Sequence, residues 1–142
     1  MRFWDSSAIV PLVMSESESE YCLKTLKADQ DMLVWCLSYV EVLSALCRRL
    51  REGVIDENTF QDAKSRLKVI LERAYEVKAI EHVRSRAARL LEVHPLRAAD
   101  ACQLAAALTA TQEDPEHLSV MCFDSRLKAA ARKEGFHVNA EA

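Results

Sequence analysis

Turn-forming residues are scarce in this sequence: two glycines (Gly53, Gly135) and three prolines (Pro11, Pro95, Pro115) serve 142 residues. That excludes an architecture of many short hairpins, which needs such residues at almost every reversal. Aromatic residues are only 6% of a chain that is half hydrophobic. The core must therefore be aliphatic, built from Leu, Val and Ile with much Ala, a composition that favours helices. No run approaches the roughly 18 consecutive apolar residues of a membrane span, and Asp5 interrupts the apolar opening where a signal-peptide core would not carry a carboxylate. The five cysteines (Cys22, Cys36, Cys47, Cys102, Cys122) are odd in number and lack C-x-x-C spacing, which argues against a disulfide framework or a zinc site and for a reducing cytoplasm. Basic excess is missing too: the net charge is −3, so any contact with nucleic acid must be local rather than the work of a whole-molecule field. Gly-rich phosphate loops and G-x-S-x-G are absent, leaving nucleotide hydrolases and serine esterases without support. His82, His94, His117 and His137 fall in no metal-ligand spacing.

What is present is an alternation of short apolar runs with amphipathic segments. Residues 2–4 read as a strand leading into a helix from Ser6 that Pro11 kinks or divides. An acidic, cap-rich stretch from Ser15 to Glu20 opens a second helix, and residues 32–37 are a buried strand. The segment 38–52 is a helix with Val40, Leu43, Cys47 and Leu50 as its stripe, closed by Gly53. A longer helical pattern runs from Asp56 to about residue 75, followed by a short strand at 77–80 and a helix over 82–91. Pro95 marks the entry to a nearly uncharged helix, AADACQLAAALTAT. SVMCF, at 119–123, is a strand, then come the helix SRLKAAARKEG and a terminal strand at 136–138. Strands alternating with helices imply parallel pairing through crossovers, hence one three-layer α/β/α domain over residues 1–142 with a mostly parallel central sheet.

Four acids stand out against this pattern. Asp5 and Asp124 each end a strand run, where ligands collect in open parallel sheets, and each also suits the N-cap of the helix that follows. Glu41 forms the sequence signature of a capping box with Ser38. Asp100 lies in a helix where, with Gln103, it is the only polar residue before Thr109; an unpaired carboxylate there needs a cation, a basic partner such as Arg97, or many donors. Four carboxylates that meet repel at about 4 kcal/mol per pair at about 4 Å and an effective dielectric near 20. A hard divalent cation such as Mg²⁺ removes that cost, holds a phosphodiester and acidifies water.

These segments resemble the PIN-domain family, specifically the ribonuclease toxins of VapBC-type toxin–antitoxin pairs. FWDSSAIVPLV is similar to the family's opening strand, SYVEVLSALCRRL to the helix with the second acid, LRAADACQLAAAL to its most distinctive segment, and VMCFDSRLKAAARKEGF to its last strand and helix. The resemblance spans nearly the whole chain and carries the family's four acids onto Asp5, Glu41, Asp100 and Asp124 as catalytic and metal-binding residues, with Ser7 supporting the first. Cys122 departs from it, since relatives often carry Thr or Ser two residues before the last acid. It implies a PIN-type fold, Mg²⁺- or Mn²⁺-dependent RNA cleavage, a homodimer, and neutralisation by a small antitoxin. Arg48, Arg97 and Arg126, with Arg49 and Arg51, are the candidates for holding RNA; each also suits a solvated helix face. Two alternatives stand beside this reading. A phosphatase with an Asp nucleophile after its first strand wants a second Asp where this chain has Ser7. A catalytically weak or inactive PIN-fold module would bind a partner helix, for instance between the helices at 16–28 and 38–52.

Overall fold

The computed structural model describes residues 1–140. Five strands form one parallel sheet: β1 (Arg2–Trp4), β2 (Met32–Trp35), β3 (Tyr75–Val77), β4 (Ser119–Met121) and β5 (His137–Val138), in the order β3-β2-β1-β4-β5. Seven α-helices connect them: α1 (Ser6–Val13), α2 (Ser19–Ala28), α3 (Ser38–Arg51), α4 (Glu57–Glu72), α5 (Ile80–Val93), α6 (Ala98–Ala110) and α7 (Ser125–Lys133), with a 3-10 turn at Pro115–His117. No helix among the described residues is long and apolar enough to cross a membrane.

Period-two alternation in the strands divides the core into two layers. Trp4, Val34 and Met121 face one side and pack with α1 to α4 through Ile9, Cys22, Leu46 and Leu67. Phe3, Trp35 and Val120 face the other and pack with α5 to α7 through Val83, Leu90, Leu104 and Leu127. The strands are covered on both faces, as an all-parallel sheet requires. The order also places the functional edge: the chain runs outward from β1 through β2 and β3, then returns to lay β4 against the other side of β1. This reversal opens a crevice beyond the carboxyl ends of β1 and β4. In register, Trp4 pairs with Met121, and Asp5 N–H donates to Met121 O at 3.0 Å, so the residues that follow the two strands are neighbours.

Several local expectations change. Pro11 lies inside α1 without dividing it. Strand β2 ends at Trp35, two residues early. The strand expected at 77–80 is Tyr75–Val77, and helix begins at Ile80; only Val77 of β3 is buried, so this edge strand has almost no hydrophobic signature. In α3 the inward line is Ser38, Val42 and Leu46, at i, i+4 spacing, whereas Val40 is 58% exposed and Leu43, Cys47 and Leu50 are only half-buried. The stripe rotates because Val42 and Leu46 are the residues that fill the core beside Trp4 and Met121, and Ser38, on the same face, is buried within hydrogen-bond distance of Gln103. The helix ends as its sequence indicates: Gly53, at φ +72°, places its N–H on Leu50 O and the next N–H on Arg49 O, a Schellman closure.

Candidate active site

Asp5 and Asp124 are both helix N-caps, and the cap bonds fix how each carboxylate is held. Asp5 Oδ2 accepts from Ser7 N–H at 3.0 Å and from Ser7 Oγ at 2.5 Å. Ser7 Oγ in turn accepts from Phe123 N–H at 2.9 Å, tying the exit of β1 to the exit of β4. Asp124 Oδ1 accepts from Leu127 N–H at 2.9 Å. Cys122 is buried, its Sγ 3.8 Å from Ser7 Oγ.

Glu41 does not make the capping box that its spacing suggests. Leu37 is the N-cap of α3 and has no side-chain cap bond, and Ser38 lies within the helix. The Glu41 carboxylate is engaged instead by Ser6 Oγ and by Gln103 Nε2, the latter at 2.7 Å. Asp100 is the third residue of α6 and half-buried. It shares a cleft of about 380 Å³ with Asp124, and Arg97, Ala99, Ser125 and Arg126 complete the lining. Two of the proposed RNA contacts, Arg97 and Arg126, thus stand beside the acids. Arg48 does not line this cleft: it follows Glu41 by seven residues, about 10 Å along the helix. Arg49 is in an ion pair with Glu16.

The acids sense one another. Burial pushes the Asp5 carboxyl up to about 6, Ser7 pulls it down in part, and the charges of Glu41 and Asp100 add to the rise. The Asp100 carboxyl is also raised, first by burial and then by Asp124 and Glu41, against the opposing pull of the Arg97 charge and backbone N–H. Among the described residues, none of the four is in an ion pair. The result is a set of oxygen donors whose negative charge Arg97 offsets only in part, which suits a hard divalent cation. The cage is not preformed: among the described residues no three His, Cys, Asp or Glu side chains are gathered to enclose a metal ion. Carboxylate rotation would have to complete it.

Sequence reasoning missed Ser6 and Ser38 as parts of this site and noted Gln103 only as a polar residue in an apolar helix. All three surround Glu41 or its partner. The histidines stay outside it: His94 is buried against Glu134 at 2.6 Å, and the other three are exposed.

A crevice at the strand reversal, lined by carboxylates and rimmed by arginines, defines the class as a parallel α/β fold with an acidic cleft at the carboxyl edge of its sheet. The comparisons narrow this. A family model described as PIN domain matches residues 2–133, and the chain belongs to the PIN-domain family. Two relatives from Mycobacterium tuberculosis strains, Ribonuclease VapC45 and Ribonuclease VapC49, are each 31% identical over 136 residues, covering 96% of this chain and 92% of theirs. The fold is similar to that of FitAcB from Neisseria gonorrhoeae (TM-score 0.67, 16% identity, 97% of this chain and 96% of that one). It is also similar to that of VapBC2 from Rickettsia felis bound to a DNA fragment from their promoter (TM-score 0.62, 10% identity, 97% and 96%).

Proposed function

We propose that this protein is a metal-dependent endoribonuclease, the toxin of a toxin–antitoxin pair held in check by a small antitoxin. The observation that carries the reading is the mutual electrostatic influence of Asp5, Glu41, Asp100 and Asp124, none of them in an ion pair among the described residues, in a chain 31% identical to two proteins named as VapC ribonucleases. Asp5 and Asp100 would hold Mg²⁺ or Mn²⁺ directly, with Glu41 and Asp124 acting through water or on a second ion. The bound ion would stabilise charge on the phosphate and leaving oxygens and lower the pKa of water. Arg97 and Arg126 offer planar guanidinium forks to the phosphates of the strand. One carboxylate accepts the proton of the attacking water as its oxygen bonds to phosphorus, and the bond to the leaving oxygen breaks in line, that oxygen taking up a proton.

On the other side of the molecule, α2 and α4 line an apolar cleft with Leu23, Leu26, Val69 and Ile70, and Met32 at its base. It lies between α2 and α4 rather than between α2 and α3, and Lys27 and Arg73 stand on its rim. An amphipathic segment bearing acidic residues fits such a surface, which supports an antitoxin partner; we further propose a homodimer and a cytoplasmic location. The test is purified protein, free of antitoxin, incubated with structured RNAs in Mn²⁺ or Mg²⁺ and in EDTA. Cleavage that needs the metal supports the reading. Intact RNA under every condition refutes it and leaves the inactive binding module.

A further inference from the structure

Gln103 occupies the second turn of α6 and is 1% exposed. Its Nε2 lies 2.7 Å from Glu41 Oε2, 2.9 Å from Ser6 Oγ and 3.1 Å from Ser38 Oγ. An amide nitrogen has two protons to distribute among these acceptors, and Ser6 gives its own hydroxyl proton to the same Glu41 oxygen. An ionised carboxylate only accepts, so the amide must turn its nitrogen toward Glu41. The consequence appears at the other end of the group: Gln103 Oε1 is buried without a hydrogen-bond partner. A position serving packing alone would avoid that orphan by carrying Leu or Met, since a buried unpaired acceptor costs its full desolvation. The amide is thus held at a structural disadvantage and aimed at one acid. Both donors converge on Oε2, leaving Oε1 of Glu41 without a partner among the described residues.

Building on the function proposed above, we propose that Gln103, with Ser6, is a positioning residue that fixes the Glu41 carboxylate for its metal-site role. Gln103 acts through Glu41 and touches neither metal nor RNA. Its segment also supplies Asp100, so α6 places one acid directly and orients a second from the next turn.

Mn²⁺ binding measured by calorimetry on the wild type, Gln103→Met, Glu41→Ala and the double variant tests this. Losing an orienting partner of a metal ligand costs about 10–100-fold in metal affinity or activity. Gln103→Met, which keeps the volume and removes the donors, should weaken Mn²⁺ by that factor while its thermal midpoint stays near the wild-type value. At saturating Mn²⁺ it should lower kcat for RNA and leave KM unchanged. In the Glu41→Ala background the same substitution should change Mn²⁺ affinity no further. Unaltered affinity in Gln103→Met, or an equal loss with and without Glu41, would overturn the inference. Should Gln103→Met fail to fold, Ser6→Ala applies the same cycle to the second donor, with the same outcomes deciding. Wild-type protein that binds no Mn²⁺ would overturn the metal-dependent function and this inference together; wild-type binding with indifferent variants overturns this inference alone.

Discussion

Replacing Asp5 by asparagine should make the metal-free protein more stable while removing its activity. The Asp5 carboxyl is 4% exposed and pushed from 3.8 to about 6 in the folded chain, chiefly by burial. A folded value above the unfolded one means that the native state holds the proton more tightly. The protonated group's contribution is complete below about pH 4 and lost as the pH rises through about 6. At about pH 7.5 the shift of about 2 units corresponds to about 3 kcal/mol of destabilisation, at 1.36 kcal/mol per unit. Asparagine does not ionise and keeps an oxygen for the Ser7 N–H. Urea unfolding in EDTA should therefore show a gain of up to about 3 kcal/mol at about pH 7.5, shrinking to about 1 kcal/mol near pH 4.5, with an unchanged m-value. Mn²⁺ at about 100 times its Kd should add about 2.7 kcal/mol to the wild type and much less to the variant. A variant no more stable than wild type in EDTA, or one stabilised equally by Mn²⁺, would refute the view of Asp5 as a buried charge awaiting a cation.

Three further outcomes are expected. Asp100→Asn should lower metal-dependent RNA cleavage by about 100-fold or more, at or beyond what losing an outer-shell partner costs, with an unchanged circular dichroism spectrum; full activity would remove Asp100 from the site. Arg97→Ala and Arg126→Ala should each raise KM for RNA and flatten the salt dependence of binding by about 0.7 in log–log slope per lost phosphate contact, measured by fluorescence anisotropy. Leu67→Ala, at a fully buried position of α4, should cost about 2–5 kcal/mol in urea unfolding without changing the cleavage pattern.

The α/β alternation was legible because the central strands are apolar on both faces and the helices keep their 3.6-residue period. What escaped reading lies where tertiary contacts override local pattern. Tyr75 and Glu76 in β3 are exposed and resemble loop residues. In α3 an exposed Val40 and a buried Ser38 exchange the positions that hydropathy assigns them, because the face set by Val42 and Leu46 packs on the sheet and Ser38 there meets Gln103. Glu41 carries a capping-box signature, yet its partners come from 35 and 62 residues away. Asp5 was legible as a strand-end acid, whereas β4 stops at Met121, two residues short of the expected 119–123, and Asp124 follows only after Cys122 and Phe123; that the two exits are neighbours follows from the sheet order, which no local window contains. The polarity of Gln103 within AADACQLAAAL was a visible signal; only its direction was hidden.

The two N-caps have a consequence for which ions the site can welcome. Asp5 Oδ2 accepts from Ser7 and Asp124 Oδ1 accepts from Leu127, so each acid has one oxygen engaged in starting a helix and one left to offer. A large cation that takes six to eight oxygens and often grips carboxylates by both must loosen the first turn of α1 or α7 to be satisfied, whereas a small octahedral one asks for a single oxygen from each acid and fills the rest with water. In the metal site proposed above, the hydrogen bonds that begin these helices would therefore favour the smaller ion.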